Sequence, residues 1–356
     1  MRYLSEAEFA ALIPDADALA LVSNAFVRYG HDRRVTSRPA LAVMVAEHRS
    51  PVLLPLKGAV STSLGVAGAL IGAQHGDYSF VVCDSRTGQL LGIVEQAVAI
   101  KRRTALTALV AARLGGAADA GRVAVVGAGQ IAREVIRLLP LALPHVATIH
   151  VAARSAASAL RLVASFDDAA NRGLHAAESI GDAIRGAELV ITATSSLAPF
   201  VGAGQLAPGA TVCALGGGEE IAADVLQPGD RLLVDDPDYA LSRGSLAAWV
   251  RNGQHERSDI LGRIDADLGA VATGAMPGRT NPRQTVLAIV QGMALVDLVM
   301  AHEALRRADL HGVGQFIAVK PQSARDPAAA TSSAATLIDA WRKSESSALR
   351  PEGSTP

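Results

Sequence analysis

Gly127-Ala128-Gly129-Gln130-Ile131-Ala132 follows the apolar run Val123–Val126 and opens a stretch of helical periodicity. In that context each small residue has a physical task. Gly127 permits a tight turn, Gly129 leaves the backbone open to a pyrophosphate, and Ala132 lets the helix approach the strand. The start of the helix then offers free N–H groups and a positive dipole end to phosphates. The chemistry is dinucleotide binding, which brings hydride transfer with it when the ligand is a nicotinamide cofactor. After the next strand the chain reads His150-Val151-Ala152-Ala153-Arg154-Ser155. No acid stands there to accept from a ribose 2′-hydroxyl, whereas Arg154 and Ser155 suit a 2′-phosphate. This predicts NADP, with NAD as the other possibility; the competing reading makes Arg154 a solvated residue at a helix start.

These residues need an alternating strand–helix frame, and the pattern from Arg122 onward supplies one. Short apolar strands are expected at Val123–Val126, Ile149–Ala152, Glu188–Thr192, Thr211–Leu215 and Leu232–Asp235, most of them separated by helical stretches. Uniformly apolar strands are what a parallel sheet covered on both faces requires. The fold class is therefore α/β: a doubly wound parallel-sheet Rossmann domain over 115–283. It is joined to an α+β N-terminal substrate and dimerisation domain over 1–114. There, Ser5–Tyr29 reads as one or two amphipathic helices, with Ser5 and Glu8 at capping-box spacing. Ser79–Asp84 and Leu90–Val94 read as a hairpin across the turn Ser85-Arg86-Thr87-Gly88, and Ala105–Leu114 as a helix stopped by Gly115-Gly116. Gln284–Ala308 reads as one long helix; within 284–320 it returns to the N-terminal domain. The Ser-, Ala- and Pro-rich stretch 321–356 reads as a loosely ordered tail.

Composition excludes several classes. A net charge of -1 offers no electrostatic attraction to nucleic acid or an anionic membrane, so neither is expected as a partner. No apolar run approaches the ~18 residues of a membrane span. The N-terminus, with its early acids, is unlike a signal peptide, so the expected compartment is the cytoplasm. Cys83 and Cys213 sit in apolar strand-like runs as expected buried thiols, with no CxxC or Cys/His cluster to hold zinc.

The ordered set of segments resembles the ornithine cyclodeaminase/mu-crystallin family from about Arg38 to Gly314. The segments are Asp84-Ser-Arg-Thr-Gly88, Arg103-Thr104-Ala105 opening a helix, the glycine turn, and Thr192-Ala-Thr-Ser-Ser196 with Pro199. Leu215-Gly216-Gly217, Gly278-Arg279 and Gly292-Met-Ala-Leu-Val-Asp297 follow. The resemblance implies a homodimer formed through the N-terminal domain, and a nicotinamide cofactor between domains. It implies chemistry at a carbon bearing both nitrogen and a carboxylate. Thr194, Leu215 and Asp297 then fall at the cofactor, and Arg103 at the position that forks onto the substrate carboxylate. Guanidinium geometry suits that task, although an ion pair with an acid such as Glu95 would also account for Arg103. Arg38, before Pro39, resembles a second carboxylate arginine, and surface charge explains it equally well.

The chain also departs from the family. Ala69 stands where a substrate-contacting lysine is implied, and Gly218 where a proton-carrying Asp is implied. Proton transfer would then move to Glu219, one residue away, or to Lys57, His75 or Lys101. The expected function is an NAD(P)H-dependent imine (ketimine) reductase, or amino-acid dehydrogenase, acting on a small imino or amino acid. The alternatives are a cyclodeaminase with displaced acid/base groups, and a crystallin-like cofactor binder with little catalysis.

Overall fold

The computed structural model describes residues 1–32, 56–72 and 78–318. A short strand β1 (Arg2–Leu4) leads into α1 (Glu6–Leu12) and α2 (Asp15–His31). The expected capping box starts α1: Ser5 Oγ accepts from Glu8 N–H, and Glu8 Oε2 accepts from Ser5 N–H at 2.9 Å. Pro14, which lacks an N–H, then separates the two helices as the N-cap of α2.

Next comes an antiparallel meander of β2 (Leu56–Ser61), β3 (Val66–Gly72), β4 (Tyr78–Asp84) and β5 (Leu90–Glu95). The β4–β5 turn is the expected hairpin: the Asp84 carboxylate accepts from Arg86 and Thr87 N–H, and Gly88 adopts φ +72°. Period-2 alternation divides the residues between the two faces. Lys57, Leu70, Phe80 and Val94 share the buried face, while Gly58, Ala69, Val81 and Ile93 share the other. Cys83, expected to be buried, is only half-buried; Cys213 is fully buried, and both are free thiols.

Helix α3 spans Ala99–Leu114, beginning a turn and a half earlier than expected, so Arg103 lies inside it and does not open it. The nucleotide half follows: β6 (Arg122–Val126), α4 (Gln130–Ala142), β7 (Thr148–Ala152), α5 (Ala156–Ala164), β8 (Leu174–Ala176), α6 (Ile180–Ile184) and β9 (Leu189–Thr192). Beyond these lie β10 (Thr211–Ala214), β11 (Arg231–Val234), α7 (Pro237–Ala240), α8 (Gly244–Arg251), α9 (Arg257–Arg263), β12 (Ala266–Asp267) and α10 (Leu268–Ala272). The chain then forms β13 (Val286–Ile289), α11 (Ala294–His311) and β14 (Gln315–Phe316). Two sheets result. One has six strands in the order β14-β1-β5-β4-β3-β2; the other has eight parallel strands in the order β12-β11-β13-β10-β9-β6-β7-β8.

The expectation of a single helix over Gln284–Ala308 is overturned. Val286–Ile289 is a strand buried on both faces between β10 and β11, and the helix begins only at Ala294. Four apolar residues in a row have the same pattern in a buried strand as in a buried helix, so periodicity does not separate them. Gly292, at φ +90°, makes the break between strand and helix. The nucleotide-binding sheet therefore extends past residue 283. The α11 helix does return to the N-terminal part, packing on α2 and on β2, β3 and β4. The stretch 321–356 lies outside the described residues. Among the described residues no single helix is long and apolar enough to cross a membrane.

Candidate active site

The turn after β6 has the geometry its glycines imply. Gly127 sits at φ +130°, and a Cβ there would lie 2.4 Å from the Ala193 carbonyl oxygen. Gly129 is the N-cap of α4, and a Cβ on it would meet nothing within 4 Å. No neighbouring side chain or backbone therefore requires Gly129 to be small; what it keeps open is the space in front of the helix N-terminus. No side chain caps that terminus, so the N–H groups of the first turn, where Gln130 and Ile131 lie, are left for a ligand. Ala128 is half-buried beside them, and Ala132 is fully buried against the sheet. The turn lies where β6 and β9 are neighbours and the strand order reverses, the crevice in which doubly wound sheets bind nucleotides. These features fit a dinucleotide pyrophosphate. Past β7, Arg154 is exposed and has no hydrogen bond or ion pair among the described residues, just before the N-cap of α5. Ser155 Oγ instead caps α5, accepting from Ser158 N–H at 3.2 Å.

The loops after β9 and β10 are tied by Glu220, which the sequence did not single out. Its carboxylate accepts from Thr192 Oγ1 at 2.6 Å, Thr194 N at 2.7 Å, Thr194 Oγ1 at 2.6 Å and Gly216 N at 2.8 Å. Thr194 is thus held by an internal acid, and Leu215 sits buried at the end of β10 with its N–H on the Thr192 carbonyl. Glu219 faces elsewhere. Its Oε2 accepts from Asn252 Nδ2 at 3.0 Å, at the C-cap of α8, and no hydrogen bond joins it to Arg103. At Gly218 a Cβ would lie 2.0 Å from the Ser196 carbonyl oxygen, to which Glu219 N–H already donates at 2.8 Å.

A second cluster gathers where β2, α3, β11 and the β13–α11 junction meet. Arg103 is buried, and its Nε donates to Asp297 Oδ1 at 2.7 Å. Glu95, considered as its partner, instead accepts from Tyr3 Oη and from Glu6 N–H at 3.1 Å. Asp297 was expected at the cofactor. Here it is fully buried on Arg103, and its second oxygen has no partner among the described residues. Burial pushes the Asp297 carboxyl up, while the charges of Arg103 and Lys57 pull it back. The Arg103 guanidinium also abuts Gly292, where a Cβ would come within 2.6 Å of Nη1. Only Nε is engaged among the described residues, so both Nη groups are available to an oxyanion.

Lys57 reaches the same place from β2. Its Nζ donates to the Gly292 carbonyl at 3.4 Å and stands 4.3 Å from the centroid of the Tyr239 ring. Burial lowers its pKa, as expected for an ammonium removed from water. Ala69 lies on the opposite face of the sheet, paired with Gly58. Lys57, on the adjacent strand, is the lysine that reaches the Arg103 cluster, and Ala69 faces away from it. Asp235, just past β11, accepts from Gln291 N at 2.9 Å and Gly292 N at 2.5 Å, and burial pushes its carboxyl up to about 6. Arg243 Nη1 donates to Tyr239 Oη at 3.4 Å, and its guanidinium covers Gly217. Lys101 is half-exposed in the first turn of α3, and Arg38 and His75 lie outside the described residues.

The arrangement is a nucleotide crevice flanked by a buried cationic cluster, a geometry suited to holding a carboxylate beside a cofactor. A Delta(1)-pyrroline-2-carboxylate reductase from Bacillus cereus is 22% identical over 329 residues, covering 89% of this chain and 99% of that protein. The structure of a Thermococcus litoralis Delta(1)-pyrroline-2-carboxylate reductase, in complex with NADH and L-proline, superposes with TM-score 0.78 at 20% identity, covering 89% and 100% of the two chains. An archaeal alanine dehydrogenase dimer with bound NAD superposes with the same TM-score at 20% identity, covering 89% and 99%. The model of the ornithine cyclodeaminase/mu-crystallin family matches residues 15–309, and the chain belongs to that family.

Proposed function

We propose that the chain is an NAD(P)H-dependent reductase of a small ketimine bearing a free carboxylate, or the amino-acid dehydrogenase that runs the same bond in reverse. The observation that carries this reading is Arg103: buried, locked through Nε by Asp297, and open at both Nη groups beside Gly292. A guanidinium fixed on one edge presents its remaining donors in the fork that a carboxylate fits. When bound, the reduced nicotinamide supplies the hydride.

The chain's residues supply the rest. The Gly127–Gly129 turn and the uncapped start of α4 hold the pyrophosphate. Arg154, exposed and unpartnered, receives a 2′-phosphate, which favours NADP over NAD. Arg103 orients the substrate, and Asp297 orients Arg103. Lys57 adds positive charge in a buried setting, where electrostatic interactions are less screened than in water. Ornithine deamination gains no support, because Gly218 carries no proton and is closed to a side chain by Ser196.

We also propose a cytoplasmic homodimer formed through the outer face of the six-stranded sheet. Support comes from the apolar character of that face, where Leu56 is 42% and Ile71 46% exposed, and from the dimeric alanine dehydrogenase of like fold. The test of activity is a panel of cyclic and linear ketimino acids with NADH or NADPH, read as cofactor oxidation. Turnover of at least one such acid is expected. Cofactor binding without any turnover would favour a binding protein instead.

A further inference from the structure

We propose, resting on that reductase reading, that Tyr239 gives the proton to the substrate nitrogen, with Lys57 and Arg243 as positioning residues that stabilise its phenolate. Tyr239 lies in the short α7, where its backbone N–H is fixed by Asp236 Oδ1 at 2.9 Å. The ring is 5% exposed and has a cation on each side: Lys57 Nζ 4.3 Å from its centroid, and Arg243 Nη1 3.4 Å from its hydroxyl. Arg243 also lies over Gly217, in the loop that closes the crevice after β10. The Tyr239 side chain thus lies between the Lys57 cluster and Arg243, the arginine that covers the loop after β10.

A buried lysine ordinarily has a carboxylate partner; among the described residues Lys57 makes no ion pair, lies against the Gly292 carbonyl and the Tyr239 ring, and feels the Asp297 charge only from beyond ion-pair distance. The acids nearby each have another hydrogen-bond or ion-pair partner, although one oxygen of Asp297 is left without one among the described residues. Asp297 pairs with Arg103, Asp235 accepts from Gln291 and Gly292 N–H, Asp236 caps α7, and Asp238 faces Arg257 at 3.8 Å. A negative charge at the phenol oxygen would complete the arrangement. Burial alone would oppose that ionisation, but the charges of Lys57 and Arg243 outweigh it and hold the phenol below the ordinary tyrosine value.

The step balances. The Tyr239 O–H bond breaks as an N–H bond forms at the imine nitrogen, and the carbon of the C=N bond accepts the hydride of the reduced nicotinamide cofactor. The phenolate left behind is stabilised by Lys57 and Arg243 and regains a proton from water on the exposed Arg243 side. In the dehydrogenase direction the same phenolate is the base.

The test uses the full-length protein and Tyr239→Phe, which keeps the ring against Lys57 and removes only the hydroxyl, together with Lys57→Met. The ultraviolet absorbance of tyrosinate is titrated in each. Of the four tyrosines in the chain, one should ionise at lower pH than the others in the parent. That step should be absent in Tyr239→Phe and displaced upward in Lys57→Met. In parallel, kcat for pyrroline-2-carboxylate with NADPH should fall roughly 10²–10⁴-fold in Tyr239→Phe with KM little changed, the loss typical of a removed general acid. Parental kcat in Tyr239→Phe, or a low tyrosinate step that persists in it, overturns the proposal. So does a limb of the kcat–pH profile, recorded for the parent and both variants, that Lys57→Met removes and Tyr239→Phe keeps, which would make the lysine the donor. If the parent reduces no ketimine at all, the reductase reading fails, and the tyrosinate step alone then decides whether Tyr239 is the ionising group.

Discussion

Restoring an aspartate at Gly218 looks, from the resemblance alone, like a route back to deaminase chemistry, with ketimine reduction left intact. The structure predicts a damaged loop instead. A Cβ at Gly218 would stand 2.0 Å from the Ser196 carbonyl oxygen and 3.0 Å from its carbon, and both are backbone atoms that no rotamer change can move. Relieving the clash means separating the loops after β9 and β10, which breaks the 2.8 Å bond from Glu219 N–H to that carbonyl. Overpacking costs about 1–3 kcal/mol and the lost hydrogen bond about 0.5–1.5 kcal/mol. Gly218→Ala, which adds the Cβ and nothing else, should therefore lose roughly 2–4 kcal/mol by the same principles. Gly218→Asp should lose at least as much and gain no ammonia release from ornithine. Denaturant unfolding of the parent and both variants, at constant m-value, measures the cost. A Gly218→Ala midpoint equal to the parent's, or robust deamination by Gly218→Asp, would refute this reasoning.

Three other outcomes follow from the same geometry. Gly129→Val points into open space with an ordinary backbone conformation, so stability should change by less than about 0.5 kcal/mol. Its NADPH affinity, measured by calorimetry, should nevertheless drop more than about tenfold; unaltered affinity would dissociate this turn from the pyrophosphate. Arg154→Asp should reverse a preference for NADPH over NADH worth about 1.5–3 kcal/mol, the range for a hydrogen bond to a charged group; equal affinity for both cofactors in the parent rules that out. Burial raises the Asp235 carboxyl to about 6, against about 3.9 in the unfolded chain. The native state thus binds the proton more tightly between these values. Stability from this group is full at the acid end and falls as pH rises through the window, by about 3 kcal/mol at about 1.4 kcal/mol per unit. Unfolding of Asp235→Asn between pH 4 and pH 7 should lack that slope, and a slope equal to the parent's would contradict it.

What was readable in the sequence and what was not separate along physical lines. The β6 turn, its helix, the hairpin at Asp84–Gly88 and the Ser5 capping box are all set by residues within a few positions of one another, so local spacing reveals them. Strand β13 escaped because Val286–Ile289 is apolar on every side and runs towards a true helix, leaving no period to read. Lys57 was one of several candidate proton carriers, with no local pattern to set it apart from Lys101 or His75. Its burial depends on Tyr239, Arg243 and Gly292, which arrive from distant parts of the chain. The pair Glu219-Glu220 shows the same limit: sequence favoured the first, whereas tertiary structure turns the second onto Thr192, Thr194 and Gly216 and the first onto Asn252. Arg103 was legible as a carboxylate ligand by resemblance, but its lock on Asp297 joins two helices that no local pattern connects.

Carboxylate capture by Arg103 is the center of this account, and one comparison tests it most directly. It measures kcat/KM for reduction of pyrroline-2-carboxylate and of the same cyclic imine without its carboxylate, in the parent and in Arg103→Ala. The parent should prefer the carboxylate substrate, and Arg103→Ala should lose roughly 10²–10³-fold on that substrate alone, equivalent to about 3–4 kcal/mol for one partner of a buried charge pair. A parent that reduces both imines equally well, or an Arg103→Ala variant that loses the same factor on each, would contradict it.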